Sequence, residues 1–356
     1  MLEARSVHRR PVWAALTTPV GLIAVLGVVF VVSTLAGSVA VRNAGVSLLI
    51  YSVIVIGLYT FAGPSGIMSF GHASFMAVGA YTAALLTLAA TSKSRLTGLP
   101  DFLRENQFTL ETAVLAGAVV AALLALIAGT VLMRLSGLAS GIATLALLVV
   151  VHVVIAQSGA ITAGPGSLVG VPVWTTPGVA WACAAVAVVV AFVFQQSSAG
   201  LKLKASREDQ LVARASGVRI YRLRLLAFVL SALIVGAGGA LFALKISVLS
   251  PGAVYLDVTF MMIAMLVVGG MRSLTGAVVG VVVVSVVGEL VRQFESGIEI
   301  AGIAVPAIPG LSQVAIALLL LISLVLRPKG LTGGRELHEI VGRVMGARKK
   351  RSVSDG

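Results

Sequence analysis

Apolar runs long enough to cross a bilayer recur along this chain, and that repetition leaves few folds open to it. Taking about 20 apolar residues as the length needed to span, ten runs qualify, near 12–34, 45–62, 73–90, 110–133, 138–156, 177–194, 225–244, 258–269, 274–290 and 308–326. The eighth is short, and the count falls to nine if it and the ninth are one element broken between Gly269 and Gly276. Hydrophobic side chains make up 58% of the 356 residues and charged ones only 11%. This composition excludes a soluble domain and predicts an all-α, polytopic transmembrane bundle.

The basic stretch from 197 to 224 fixes the orientation. It holds Lys202, Lys204, Arg207, Arg214, Arg219, Arg222 and Arg224 between two apolar runs, and such loops stay on the cytoplasmic side. With ten spans both termini are then inside as well, and 20 of the 26 basic residues fall on that side against six outside. Topology accounts for the +13 formal charge, so nucleic acid need not be invoked. The N-terminal MLEARSVHRR resembles a signal-peptide head, but the apolar run after it is too long for a signal core and leads through Arg42 into the next span. It reads as an uncleaved first helix. Cys183 is the only cysteine and lies in an apolar run, so no intrachain disulfide can form.

Within the basic loop, Ser206 with Asp209 three residues later reads as a capping box, and Glu208 and Asp209 are acidic in the first turn. Leu211, Val212, Ala215 and Val218 then form an apolar stripe, and Gly217 supplies a stop. The pattern predicts a surface helix over 206–217. It is either an interfacial helix on anionic lipid or a docking peg for a cytosolic partner.

Outside, 91–111 mixes charges of both signs, while 157–176 is uncharged and rich in Gly and Pro, a connector or the rim of an entrance. Spans two to five and seven to ten form two four-span sets of opposite sense, the inverted plan of many transporters. No residue-level repeat accompanies that symmetry.

Polar residues and helix breakers coincide between spans two and three. Gly63, Pro64, Gly66 and Gly71 interrupt the helix, and Ser69, His72 and Ser74 stand at the inner edge of the membrane. Irregular backbone at that depth needs protein or a water-filled cavity around it, which places Gly66, Ser69, Gly71, His72 and Ser74 beside a translocation path. For His72 itself a structural role, satisfied by local partners, is favoured. A second break, VVGGMRSLTGAVVG over 267–280, adds Gly270 and Arg272 as gate residues, and its Gly276–Gly280 pair reads as close helix packing. His152, alone in the fifth span, is a weak pointer to proton transfer.

Absences narrow the field further. No Asp or Glu lies in the middle of a span, which argues against a self-powered ion symporter. The chain has no phosphate-binding GxxxxGK[ST] loop and no HExxH or GxSxG motif, so neither ATP hydrolysis by that loop nor membrane enzymology has a candidate centre. Any energy must come from a partner.

Taken together, GPSGIMSFGHASFMAVGAYTAALL (63–86), RLSGLASGIATLAL (134–147), ITAGPGSLVGVP (161–172), ASREDQLVARASGV (205–218), YRLRLLAFVLSALIVGAGGALFA (221–243), VVGGMRSLTGAVVG (267–280) and LRPKGLTG (326–333) resemble the longer of the two paired permeases of ABC importers for branched-chain amino acids. The chain departs from that pattern at Arg272, usually small or apolar, and lacks a proline often found after the last glycine of that break. The resemblance implies that Arg207, Glu208, Asp209, Ala213 and Gly217 lie on the loop contacting the ATPase subunits, with Leu211 on the same helix. It implies a second permease, two cytoplasmic ATPases and an extracytoplasmic solute-binding protein as partners, besides membrane lipid. This chain would bind no cofactor, ATP and Mg remaining on the ATPases. The domain reading is a cytoplasmic segment at 1–11, a permease domain at 12–334 and a basic, disordered tail at 335–356. The expected function is inner-membrane translocation of branched-chain or related amino acids. An importer for urea or short amides and a passive small-amide channel stand as alternatives.

Overall fold

Continuous apolar sequence with no water to satisfy its amides folds as helix, because only a helix closes its hydrogen bonds within one segment. The computed structural model describes residues 12–94, 96–295, 299–300, 303–304 and 310–339. The expected segment 1–11 and the tail beyond 339 lie outside the described residues.

The first helices are α1 (Val12–Leu35), α2 (Val39–Ser65), α3 (His72–Thr87), and two short helices, α4 (Ala90–Lys93) and α5 (Asp101–Glu105). There follow α6 (Leu110–Leu132), α7 (Leu138–Gln157), α8 (Gly159–Thr162) and α9 (Pro177–Gln196). The basic loop holds α10 (Ser198–Glu208) and α11 (Gln210–Ala215), after which come α12 (Ile220–Ala243), α13 (Leu256–Gly269), α14 (Leu274–Glu295) and α15 (Leu311–Leu326). Two-residue strands β1 (Leu168–Val169) and β2 (Val248–Leu249) pair antiparallel, tying the uncharged Gly/Pro segment to the chain that follows α12. A second such pair joins β3 (Glu299–Ile300) and β4 (Ile303–Ala304).

Eight helices among the described residues are long and apolar enough to cross a membrane: α1, α2, α6, α7, α9, α12, α14, and α13 taken with the 3-10 turn Pro251–Val254 before it. The chain is a multi-pass membrane protein. Apolar side chains such as Val20, Leu115, Ile127 and Ile142 stand exposed around it, a surface that suits hydrocarbon.

Two boundaries differ from the sequence reading. α2 starts at Val39 and runs through Pro64. α12 begins at Ile220, so Arg222 and Arg224 belong to a helix and not to a loop. The eighth and ninth runs are separate helices, α13 and α14, packed on each other, and not one broken element.

α2, α3 and α12 form the centre, with α6 packed against α3 and α12. α3 has only 16 residues, about 24 Å of helix. It is shorter than a bilayer core because its neighbours, not lipid, surround it. Its crossing with α12 is backbone on backbone: a Cβ on Gly79 would strike the carbonyl of Gly236, and one on Gly239 the carbonyl of Met76. α13 and α14 meet in the same way, Gly280 against the Met265 carbonyl. The expected close packing at Gly276 and Gly280 is thus present.

The segment between α3 and α6 is pinned from inside. Lys93 is completely buried, and its Nζ donates to the carbonyls of Leu86 (3.2 Å), Leu103 (2.9 Å) and Asn106 (2.6 Å). All three ammonium donors are used.

Gly79→Leu is expected to lower stability by about 1–3 kcal/mol, since the helices cannot separate without losing their contact; thermal unfolding of the purified protein in detergent measures it.

Candidate coupling site and path

The basic stretch folds as two helices rather than the single one expected over 206–217. Ser197 opens α10, its Oγ accepting from the Gly200 N–H at 3.2 Å. Ser206 is no cap: it is buried inside α10 and its hydroxyl donates to the Leu203 carbonyl at 2.8 Å. The cap is Asp209, extended at φ −147°, whose Oδ1 accepts from the N–H groups of Leu211 (2.8 Å) and Val212 (3.0 Å). A carboxylate reaching two amides outcompetes a hydroxyl already spent on its own helix. Gly217, at φ +77°, ends α11, and Val218 donates back to the Ala213 carbonyl at 3.0 Å. Ala213 faces inward, whereas Leu211 and Val212 are 78% and 62% exposed.

Arg207 ties this loop to the core. Its Nη1 donates to the Gly63 carbonyl in the last turn of α2 at 2.6 Å, and its Nη2 to Glu208 Oε1 at 2.8 Å. Its stem lies over Gly66, which sits at φ +70° and has no room for a Cβ. The Arg207 hydrogen bond and charge, then the charge of Arg272, hold the Glu208 carboxyl below its ordinary range. Arg272, in the break between α13 and α14, adds its charge to that field. Gly270, at φ +119°, is packed under the returning chain, where Leu331 donates to the Val268 carbonyl (2.9 Å) and Thr332 to that of Gly269 (3.2 Å). Four residues assigned separately, Gly66, Arg207, Glu208 and Arg272, converge at one end of the bundle, with Gly270 in the same break as Arg272.

Glu336, assigned by sequence to the head of a disordered tail, is buried there. Its carboxylate accepts from Leu274 N (3.0 Å), Thr275 N (3.2 Å), Thr275 Oγ1 (2.9 Å) and Gln195 Nε2 (2.8 Å). It caps the N-terminus of α14 from some 60 residues away. Gln195 in turn accepts from the Tyr59 hydroxyl at 2.6 Å, so one acid joins α14, α9 and α2. Partial burial pushes the Lys204 ammonium down, and Glu336 pulls it back up.

The residues at the head of α3 lie deeper. His72 is fully buried; its Nδ1 is 2.8 Å from Ser69 Oγ and its Nε2 2.9 Å from Ser231 Oγ. Because Ser231 donates to the Phe228 carbonyl, its oxygen receives the Nε2 proton and Ser69 donates to Nδ1. Phe61, Phe75 and Phe228 surround the ring. His72 is thus a satisfied core residue. Gly71 allows the chain to lie against the Thr144 carbonyl, and Phe70 N donates to Thr144 Oγ1 at 3.2 Å. Ser74 Oγ and Tyr81 Oη, seven residues apart on one face of α3, are buried with no protein partner. His152 stacks on Tyr255 with ring centroids 3.8 Å apart.

The family model for permease components of branched-chain amino acid transport systems matches residues 41–324. The chain belongs to this permease family. Two relatives, the high-affinity branched-chain amino acid transport system permease proteins LivM of Salmonella typhimurium and Escherichia coli, are each 26% identical over 280 residues, covering 69% of this chain. The chain spans 62% of the length of these relatives. No solved structure matches.

Sequence reasoning missed Glu336, Gln195, Tyr59 and Ser231. For Glu336 the available signal was a carboxylate within the short stretch LTGGRELHE that closes on the last span. Replacing Glu336 with Ala leaves two buried amides and Gln195 without an acceptor, and is expected to cost about 2–4 kcal/mol. Glu336→Gln, which keeps one acceptor, should cost less; denaturant or thermal unfolding in detergent orders the three proteins.

Proposed function

We propose that this chain is one permease subunit of an ATP-binding-cassette importer in a bacterial inner membrane, carrying branched-chain amino acids inward. In this reading it has ten spans with both termini inside, α3 and α15 completing the eight long helices. A second permease completes the path, two cytoplasmic ATPases hydrolyse ATP with Mg, and an extracytoplasmic binding protein delivers solute. The observation that carries the reading is α11. Its leucine and valine point away from the protein, yet the adjoining Arg207 grips the end of a core helix. Such a peg can receive a partner and pass on its displacement.

The path is proposed to run beside α3 and α13. They are the third and eighth spans, equivalent positions in the two four-span sets, and the shortest interior helices at 16 and 14 residues. Short or glycine-interrupted segments in equivalent positions of inverted halves tend to flank a transporter's solute site. α3 and α13 touch, and Ser74 and Tyr81 offer buried polar atoms free of protein partners. Closure of the ATPases would move α11, and α10 would deliver that motion through Arg207 and Glu208 to the breaks at Gly66 and Gly270.

Reconstitution with the ATPase, binding-protein and second permease subunits tests this. ATP-dependent leucine uptake should require all of them, and uptake by this chain alone without ATP would defeat the proposal in favour of a passive channel. Leu211→Glu should abolish stimulation of ATP hydrolysis by the loaded binding protein while membrane insertion stays normal. Arg207→Glu should impair uptake, an outcome a passive amide channel would not give.

A further inference from the structure

A second feature lies on the other flank of the basic loop, where α11 contributes Arg214 and not its exposed Leu211 and Val212. A cleft of about 620 Å³ opens where α6 ends and α12 begins, and five arginines line it: Arg134, Arg214, Arg219, Arg222 and Arg224. No carboxylate is among the lining residues. Tyr221 shapes one wall, its hydroxyl donating to the Thr130 carbonyl at 3.2 Å and its ring lying under the Arg134 guanidinium at 6.0 Å.

Arg224 separates this cleft from an ordinary basic surface. It is 4% exposed, and its one hydrogen bond is a long one, 3.4 Å from Nη1 to the Leu135 carbonyl. Its Nε is buried with no acceptor at all. A guanidinium held out of water with donors unused, facing four others of like charge, costs free energy unless an anion joins it. Topological sorting of positive charge asks only that arginines lie on one side of the membrane. It gives no reason to bury one without a partner, or to gather five from three separate segments around one cavity.

We infer that this cleft holds the phosphodiester headgroup of an anionic membrane phospholipid. Its depth fits, for it sits at the ends of two spans, where headgroups lie. Its rim fits as well. Within four residues of the lining arginines, Val131, Leu138 and Leu226 are 66%, 88% and 50% exposed, giving acyl chains an apolar surface beside the charged cleft. A phosphodiester offers guanidinium groups the paired acceptors they bind best. Lipid there would bridge α6, α12 and the C-terminal end of α11, bracing the loop that carries the exposed peg. The inference does not depend on which solute the protein carries or on whether α11 binds an ATPase.

The test uses the full chain purified in neutral detergent and titrated with phosphatidylglycerol or phosphatidylcholine, with retained lipid read by native mass spectrometry. Phosphatidylglycerol should be retained at least tenfold more tightly, with the difference shrinking as salt rises. Arg134→Gln combined with Arg219→Gln, both exposed side chains, should weaken phosphatidylglycerol retention about tenfold. Their lipid-free unfolding temperature should stay unchanged, which keeps the test independent of any folding defect in Arg224→Gln. Equal retention of the two lipids, or unchanged retention in the double variant, overturns the inference. Displacement of the lipid by equimolar inorganic phosphate would mark a free-anion site and also overturns it. Loss of ATPase capture with lipid retention intact would assign the arginines to a protein partner instead.

Discussion

Inside a bilayer a helix that stops must still satisfy the amides or carbonyls its end exposes, and two ionised side chains do this at one end of the bundle. Arg207 donates to the Gly63 carbonyl where α2 stops, and Glu336 accepts from the Leu274 and Thr275 amides where α14 starts. Each supplies the charge its helix end favours, a cation at the C-terminus and an anion at the N-terminus. Because both come from segments outside those helices, the basic loop and the chain after α15 are fastened to the spans by the spans' own unmet hydrogen bonds. Removing either side chain therefore leaves core backbone unsatisfied, beyond loosening a surface loop.

Most of the helical architecture was legible because the bilayer reduces it to one rule, long apolar runs become helices. The glycine breaks at Gly66 and Gly270 were legible too, since few other residues hold φ of +70° and +119°. What escaped was pairing between distant segments. Ser206 and Asp209 both look like caps, and only the placement of α10 against α2 shows that the first is spent inside a helix and the second starts a new one. Glu336 stands in a short stretch close after the last span, but its partners become visible only when α14 presents two amides to it. The paired backbone contacts, Gly79 with Gly236 and Gly280 with Met265, belong to the same class. Small residues mark where a close approach is allowed but not which partner fills it.

At His72 the fold agrees with the blander reading. A histidine at the edge of a span, beside Ser69, Gly71 and Ser74, invites a functional role, but the sequence favours a structural one satisfied by local partners. In the fold the ring fills a Phe-lined space and both nitrogens are matched by serine hydroxyls. Polarity there serves the join between α3 and α12. The unmatched polar atoms lie further along α3, at Ser74 and Tyr81, where no sequence motif singles out the tyrosine.

On the proposed reading these contacts also determine where motion can go. Besides its packing on α12 and α9, α10 reaches the end of α2 through Arg207, and the charge of its Glu208 feels that of Arg272 between α13 and α14. The long helices α2 and α12 are locked to their neighbours along most of their lengths, so a push at α10 meets least resistance at the left-handed glycines. One of these precedes α3 and the other follows α13. Displacement of the loop would therefore pivot the two short interior helices against each other and leave the surrounding frame in place. This is the geometry that opening a path between them to one side at a time requires, and it needs no ionisable group within the spans.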